Sequence, residues 1–329
     1  MNNRVLVREG DVMHVQLAVV IPCFKVRRHI LQVIAGLGPE VTVVYVVDDA
    51  CPEGTGKYVE SACRDQRVRV LYHAKNKGVG GATLTGYRQA VRDGADVIVK
   101  LDGDGQMDPA LIPNFVRPVV AGEADYTKGN RFYSIEDLQQ MPFVRLMGNS
   151  FLSFISKFSS GYWTIFDPTN GFTAIHGAVA AKLPLDKIEQ RYFFESDMLF
   201  RLNILRAVVL DIPMTASYAD EVSNLSIART IPEFLCKHAV NSFKRLFYNY
   251  YLRDFNVASL EILLGTLALL FGMVFGARMW YLSFATGSPA TSGTVMLAAL
   301  PTLVGIQLIL AFLSYDVGNI PRYPLHKRL

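Results

Sequence analysis

Four apolar runs in the first third of the chain are rich in β-branched residues, and each ends at polar or turn residues. The runs are 15–22, 41–49, 68–73 and 96–104. Because apolar and polar positions do not alternate along them, we predict strands that are buried on both faces of a sheet. The stretches that fit helices between them are 27–36, 55–65 and 80–93. This order predicts repeated βαβ units, a mostly parallel sheet and an α/β fold.

The last quarter of the chain is apolar enough to cross a membrane. Residues 257–284 carry only two charged side chains, Glu261 and Arg278, and residues 295–315 carry none. Each run is long enough to span a bilayer, and Arg278 lies near the end of its run, from where it can reach the interface. We therefore predict a two-helix transmembrane hairpin over 256–316. The alternative is a pair of buried helices in a soluble core.

Basic residues flank this predicted hairpin at both of its ends but are missing from the link at 285–294. They are Lys237, Lys244, Arg245 and Arg253 before it, and Arg322, Lys327 and Arg328 after it. The positive-inside rule then places the front domain and both chain termini on the cytoplasmic face of the inner (plasma) membrane.

Two further segments have apolar and aromatic residues at helical spacing, 145–158 and 232–255. Either fits a core helix or a helix lying on the membrane surface, and the basic residues of the second favour the surface. The predicted division of the chain is a cytosolic domain at 1–231, a juxtamembrane amphipathic helix at 232–255, the hairpin at 256–316 and a cytosolic tail at 317–329.

Composition narrows the function. The chain has 329 residues, of which 51% are apolar and 19% charged, so it can bury a sizeable core and is not a disordered chain. Its four cysteines are scattered without a C-x-x-C pair, which indicates neither a zinc site nor a disulfide framework. A net charge of +4 is too small to indicate a nucleic-acid partner.

The end of the fourth predicted strand holds the most informative motif, LDGDGQMDP at 101–109. Asp102 and Asp104 are two positions apart and can project the same way, and two such carboxylates repel unless a cation lies between them. Mg²⁺ or Mn²⁺ meets that need, with Gln106 as a further oxygen ligand. Gly103 lets the backbone pass close to a ligand. Asp108, followed by a proline, is interpreted as a helix N-cap.

A second acidic pair, Asp48 and Asp49, ends the second predicted strand. One of them could bind the ribose or base of a nucleotide, and the alternative is a turn-forming aspartate. The segment 76–87 nearly matches G-x-G-x-x-G but has Thr83 in place of the last glycine, so it is weak support for a dinucleotide site. The sequence lacks the motifs of phosphate-loop ATPases, zincins and α/β-hydrolases.

Seven motifs stand in an order that resembles family 2 glycosyltransferases. They are VVIPCF (19–24), VVDDACPEGT (46–55), NKGVGGA (76–82), LDGDGQ (101–106), KGNRF (128–132), MPFVRLMGN (141–149) and DPTNGF (167–172). With the two spans, the chain resembles the polyprenyl-phosphate glycosyltransferases, relatives of dolichyl-phosphate mannose synthase. The resemblance implies a GT-A fold and inverting, metal-dependent transfer of one sugar from a UDP- or GDP-sugar to undecaprenyl or dolichyl phosphate.

The resemblance also implies roles for individual residues. Donor binding falls to Pro22, Asp48, Asp49, Asp102, Gly103 and Asp104, and metal binding to Asp102, Asp104 and Gln106. Arg131 and Arg145 match the arginines that bind the acceptor phosphate, although a surface ion pair is the alternative for each. A phosphomonoester is already largely an anion at neutral pH, so it needs positioning more than a general base.

The motif YFFESDMLFRL at 192–202 places Glu195 and Asp197 where other family 2 enzymes keep a catalytic acid. We predict a catalytic or orienting role for Asp197. Two departures from the pattern concern the donor: Lys25 stands where many relatives have glutamate, and residues 218–225 are acidic where mannose synthases carry a diphosphate-binding arginine. Arg201 or Arg229 could substitute. The second departure argues against GDP-mannose as the donor.

Two other functions are compatible with the same fold. A processive polysaccharide synthase would need a Q-x-x-R-W motif and more spans, and neither is present. A non-catalytic membrane scaffold would be expected to have lost the Asp102 and Asp104 pair, which is intact. Two spans with so few polar residues could also pack against those of a second copy, which would form a homo-oligomer.

Overall fold

The computed structural model describes residues 15–133, 143–214 and 227–329. The chain divides into two compact units. The first holds the chain up to Ser242 together with the C-terminal segment Pro321–Leu329, and the second holds Phe243–Ile320. Most of the tail predicted at 317–329 thus belongs to the same unit as the front domain.

The first unit is built around a seven-stranded sheet with the strand order β3-β2-β1-β4-β6-β5-β7. The strands are β1 (Leu17–Cys23), β2 (Val43–Asp48), β3 (Val68–Tyr72), β4 (Val97–Lys100), β5 (Tyr126–Asn130), β6 (Thr173–His176) and β7 (Val209–Pro213). Strand β6 is antiparallel to both of its neighbours, and the other pairings are parallel. The predicted α/β fold with a mostly parallel sheet is confirmed.

Helices connect these strands, and in the first third of the chain they lie where the hydrophobic pattern predicts them. They are α1 (Ile30–Ala35), α2 (Thr55–Ala62), α3 (Val79–Arg92), α4 (Ile112–Val120), α5 (Phe143–Ser160), α6 (Gly177–Lys182), α7 (Phe194–Leu205) and α8 (Ile227–Phe247), the last of which runs into the second unit. Helix α3 packs closely on β1 because Gly86 faces Val20, where any side chain would collide.

The core of the sheet lies between β1, β2 and β4, whose residues are buried almost without exception. Strand β3 is different: Arg69 is exposed and Tyr72 is 49% exposed. The prediction that all four runs are buried on both faces is therefore wrong for β3. Its position at the edge of the sheet explains the difference, because an edge strand has a neighbour on one side only.

One buried carboxylate, that of Asp125, holds the C-terminal segment within the first unit. Asp125, which is fully buried, accepts hydrogen bonds from the backbone amides of Val208 (2.7 Å), Leu325 (2.7 Å) and His326 (2.9 Å). The His326 ring also contacts Asp125 through Nδ1 at 2.6 Å and stacks on the ring of His176 at 4.2 Å. The C-terminal segment is thus an integral part of this unit.

The second unit contains two long apolar helices, α9 (Val257–Thr286) and α10 (Ser292–Gly318). They pack closely where Gly265 meets Gly305 and where Gly272 meets Thr302. Their most apolar windows have mean hydropathies of 2.1 and 2.2, and only 22% and 11% of those windows is buried. Core helices of a soluble protein are mostly buried, so these two helices could instead span a membrane.

A buried ion pair lies at the start of this unit. Arg245 donates to Asp316 through Nη1 at 2.7 Å and Nη2 at 3.0 Å, and the Tyr250 hydroxyl donates to the same carboxylate at 2.6 Å. The three residues join the end of α8 and the π-helical turn Tyr248–Arg253 to the end of α10. Asn256 then begins α9 with a capping box that it forms with Ser259.

Candidate functional site

The loop that follows β4 carries the carboxylates that the sequence singles out. Gly105 has a φ of +82°, a conformation that favours glycine, and the loop turns there. Asp108 accepts a hydrogen bond from the amide of Ala110 at 2.9 Å, and Pro109 begins the short 3₁₀ turn Pro109–Leu111. The N-cap interpretation of Asp108 is confirmed, which leaves Asp102 and Asp104 for the site.

Asp102 and Asp104 both keep part of their surface exposed at the end of this central strand. Asp102 Oδ1 lies 2.9 Å from Lys100 Nζ, and its side chain is 27% exposed. Asp104 Oδ1 accepts a hydrogen bond from the amide of Gln106 at 3.0 Å. Among the described residues, no group of three or more His, Cys, Asp or Glu side chains could hold a metal. A hard divalent ion that takes two carboxylates and completes its shell from the substrate fits this oxygen-only set.

The motif DPTNGF lies directly against these residues. A side chain at Gly171 would meet the Lys100 ammonium group and the Asp102 carboxylate, so the backbone of this motif passes close to both. In the same motif, Asp167 is 1% exposed and accepts two hydrogen bonds from Arg131. The structure therefore brings Arg131 and Asp102 to opposite ends of one loop.

Two buried lysines lie in one row of the sheet. Thr173 of β6 is the register partner of Lys100 in β4 and of Lys128 in β5. Lys100 Nζ contacts Asp102 and lies 3.2 Å from Glu195 Oε1. Burial opposes its positive charge, but the two carboxylates outweigh that effect and raise the pKa of Lys100.

Lys128 has a different environment from Lys100. It donates to the carbonyl oxygen of Asn170, and burial lowers its pKa to about 8 in spite of the attraction of Glu195 and Asp167. Nearby, burial raises the pKa of Asp211 to about 6, although its carboxylate accepts hydrogen bonds from Asn130 and Phe166. The strand ends thus form a desolvated cluster of charges of both signs.

The two acids of α7 face different partners. Glu195 reaches Lys100, whereas Asp197 is buried and accepts hydrogen bonds from the amide of Glu189 (3.1 Å) and from Asn241 (3.0 Å) of α8. Arg201 contacts the same carboxylate at 3.3 Å. The structure places Asp197 at the junction of α7 with α8, and its catalytic role stays a prediction. Glu195 is the acid that lies beside the strand ends.

The acidic pair after β2 organises its own loops. Asp48 accepts hydrogen bonds from the amides of Cys51 (2.7 Å) and Gly56 (2.6 Å). Asp49 contacts His73 Nδ1 at 2.6 Å and accepts from the amides of Lys77 and Gly78, each at 2.8 Å. Both aspartates therefore have the contacts expected of turn-forming residues. Nucleotide binding by either of them stays a prediction.

The glycines of the segment 76–87 serve close packing. Side chains at Gly78 and Gly80 would collide with the backbone of Glu189 and Gln190, and the amide of Gly81 donates to the Gln190 carbonyl at 2.9 Å. The close approach of the protein's own backbone thus accounts for glycine at these positions, and the match to G-x-G-x-x-G stays weak support for a dinucleotide site.

Other predicted residues are placed as follows. Pro22 is buried in β1 opposite Val47, and the next exposed positions are Phe24 and Lys25. Lys25 has a φ of +60° and its amide donates to Cys51 Sγ at 3.1 Å, so the loops after β1 and β2 are joined at this edge. The side chains of Arg145 and Arg229, and the whole of the acidic segment 218–225, lie outside the described residues.

Several residues of the cluster escaped the sequence analysis. The sequence motifs assign no functional role to Lys100, Lys128 or Asp211. Asp167 is identified only as part of the motif DPTNGF. A signal exists in the sequence for Lys100, a charged residue that directly follows the apolar positions of the predicted buried strand at 96–104. The hydrophobic pattern predicts no strand at Lys128.

Comparisons with known proteins identify the domain. The sequence pattern of glycosyl transferase family 2 matches residues 18–183. The undecaprenyl-phosphate mannosyltransferase of Micrococcus luteus is 33% identical over 174 residues, which cover 52% of this chain and 70% of that protein. The polyprenol monophosphomannose synthase of Mycolicibacterium smegmatis is 30% identical over 203 residues, or 60% of this chain and 76% of that protein.

A third relative is named for another sugar, and the solved structures bear on the fold. The UDP-N-acetylglucosamine–dolichyl-phosphate N-acetylglucosaminyltransferase of Methanococcus voltae is 26% identical over 215 residues, or 61% of this chain and 85% of that protein. Glucosyl-3-phosphoglycerate synthase from Mycobacterium tuberculosis, solved with Mn²⁺, uridine diphosphate and phosphoglyceric acid, superposes with a TM-score of 0.52 at 15% identity over 70% of this chain and 78% of that one. It shares the GT-A fold. The chain belongs to glycosyl transferase family 2, and it is a glycosyltransferase.

Proposed function

We propose that this chain is a membrane-anchored inverting enzyme that moves one sugar from a nucleotide-diphosphate sugar to a polyprenyl phosphate. The observation that carries the proposal is the presence, in one chain, of a family 2 domain and two exposed apolar helices. An acceptor with a polyprenyl tail is reached from a membrane surface. The names of the relatives, which specify undecaprenyl, polyprenol and dolichyl phosphates, support this class of acceptor.

The bound tail supports the proposed topology. The chain leaves the first unit before α9 and returns to it after α10, because Pro321–Leu329 is part of the first unit. There Asp125 binds Leu325 and His326. A chain that crosses a bilayer twice returns to the side where it started. The domain and the tail would then share one face, and the basic residues around the hairpin support the cytoplasmic face.

On the donor side, Asp102, Asp104 and Gln106 would hold Mg²⁺ or Mn²⁺. The bound ion would neutralise the charge that develops on the departing diphosphate. The joined loops after β1 and β2, near Pro22 and Asp49, lie at the carboxyl edge of the parallel strands, where α/β folds bind nucleotides. Either a UDP- or a GDP-sugar is compatible with this arrangement.

On the acceptor side, the chain has to hold a phosphate in line with the anomeric carbon. We assign this role to Arg131 and Arg145, because guanidinium groups bind phosphate oxygens with two parallel hydrogen bonds. The acceptor phosphate is already anionic and attacks without prior proton removal. Asp197, through its bonds to α8, orients α7 and with it Glu195.

The test is transfer of radiolabel from a panel of UDP-, GDP- and dTDP-sugars to purified undecaprenyl or dolichyl phosphate in detergent, with Mg²⁺, Mn²⁺ or a chelator. We expect label in the organic phase with metal only. Asp104→Asn should abolish transfer without unfolding the protein. Asp108→Asn is the matched control, because asparagine also caps a helical turn.

Different outcomes contradict different parts of the proposal. Full transfer in the presence of chelator would remove the metal from the mechanism. Full transfer by Asp104→Asn would remove Asp104 from the site. Product with a retained anomeric configuration, read by NMR, would exclude the inverting route. Folded wild-type protein that uses none of these donors would favour the non-catalytic scaffold.

A further inference from the structure

A single lysine lies between the donor side and the acceptor side of the site. We propose that Lys100 is a positioning residue for transfer, whose ammonium group fixes the spacing between Asp102 and Glu195. The inference rests on the proposed function and adds to it a residue that the family motifs leave out.

The contacts of Lys100 carry the inference. Its Nζ lies 2.9 Å from Asp102 Oδ1 and 3.2 Å from Glu195 Oε1, and its side chain is 1% exposed. Lys100 is the last residue of β4, and Asp102 lies in the loop that follows it, close enough for its carboxylate to contact the Lys100 ammonium group. Glu195 comes from the first turn of α7, a different part of the fold. One ammonium group therefore ties the metal-binding loop to that helix.

The surroundings leave Lys100 little freedom. Its register partner across the sheet is Thr173, and Gly171 lies so close that any side chain there would meet both the ammonium group and Asp102. A buried ion pair of this kind adds little net stability compared with apolar residues of similar volume, because desolvation offsets the attraction. What it does provide is a fixed geometry between charged groups.

Lys128, the other buried lysine beside Thr173, does not connect two carboxylates as Lys100 does. It lies two strands away, beside the same Thr173, and its ammonium group donates to the backbone carbonyl of Asn170. Lys100 differs in having two carboxylates within ion-pair distance. A displacement of reacting groups by about 1 Å can reduce transfer by about a hundredfold, so the spacing that Lys100 sets has a measurable effect.

The experiment compares Lys100→Met, Glu195→Gln and the double variant in the transfer assay. Lys100→Met should lower kcat by at least about tenfold and change the KM values for donor and acceptor by less than about threefold. Glu195→Gln should cost little more in the Lys100→Met background, because the link is already broken. The surface variant Lys182→Met, which removes the same charge, should behave as wild type.

Three results would overturn the inference: a kcat for Lys100→Met within about twofold of wild type, a loss confined to KM, or multiplicative effects of the two substitutions. If Lys100→Met fails to fold by thermal melting, Lys100→Gln, which keeps a polar group of similar length, is subject to the same criteria. Absence of transfer in the wild type contradicts the proposed function instead, so the two failures are distinguishable.

Discussion

Arg131 and Asp167 form a two-pronged ion pair, with Nε 2.7 Å from Oδ2 and Nη2 3.0 Å from Oδ1. The pair joins the motifs KGNRF and DPTNGF, and the carboxylate is almost fully buried whereas the guanidinium side chain is 29% exposed. An arginine held in this way has a fixed orientation before any acceptor phosphate arrives. Its structural role and its proposed phosphate-binding role are therefore connected.

Arg131→Ala is expected to weaken both the fold and the reaction. Removing the arginine leaves Asp167 buried without its partner, which costs about 1–3 kcal/mol after allowance for the exposed side of the pair. Denaturant unfolding of the variant measures that loss. The double variant Arg131→Ala/Asp167→Ala should regain part of the stability but none of the transfer activity. Recovery of activity in the double variant would show that Arg131 does not contact the acceptor.

The hydrophobic pattern predicts the order of strands and helices in the first third of the chain and the two long apolar helices. It does not predict which strand lies at the edge, because sheet order depends on pairings between distant segments; hence the exposed β3. It also cannot separate Glu195 from Asp197. Residues two apart on a helix point about 200° away from each other, so one faces the sheet and the other faces α8, and the sequence does not say which.

Deletion of the segment 321–329 is expected to destabilise the first unit. Asp125 would lose its hydrogen bonds with Leu325 and His326 and would keep the one from the amide of Val208. Loss of hydrogen bonds to a charged group costs about 1.5–3 kcal/mol each at most, and solvation of the uncovered carboxylate offsets part of that loss. Limited proteolysis and thermal melting in detergent measure the effect. The single variant His326→Ala should show a smaller loss, since the backbone amides remain, and an Arg328→Ala variant should show none.

His238 on α8 gives the fold a pH dependence of known sign. Its Nδ1 lies 2.7 Å from the Ser159 hydroxyl, and burial lowers the pKa of His238 to about 4. An unfolded histidine has a pKa near 6.5, so its contribution to stability is present above about pH 6.5 and is lost as the pH falls toward 4, by about 1.4 kcal/mol per pH unit. Urea unfolding at pH 7.5 and pH 5 should show this loss in the wild type.

The matched variants isolate the contribution of His238. His238→Gln should lower stability at pH 7.5 but flatten the dependence between pH 7.5 and pH 5. His29→Gln, at a partly exposed position before α1, should keep the wild-type dependence. Equal slopes in both variants would mean that other groups control the acid sensitivity.

Arg245→Met is expected to damage the second unit more than removal of the whole ion pair. The substitution removes the ion pair to the buried Asp316 and leaves its hydrogen bond from Tyr250. We expect it to lower the free energy of unfolding by about 3–5 kcal/mol. The double variant Arg245→Met/Asp316→Leu should be close to wild type, because apolar residues of similar size avoid the desolvation cost. Thermal aggregation in detergent ranks the variants. A double variant no better than Arg245→Met would mean that the pair sets geometry which packing cannot replace.

The hydrogen bonds between Asp125 and the C-terminal segment have a consequence for the order of events during synthesis. Asp125 comes early in the chain, in the first unit, whereas its partners Leu325 and His326 follow both apolar helices. The hydrogen bonds from Leu325 and His326 to Asp125 can therefore form only after both apolar helices have been synthesised.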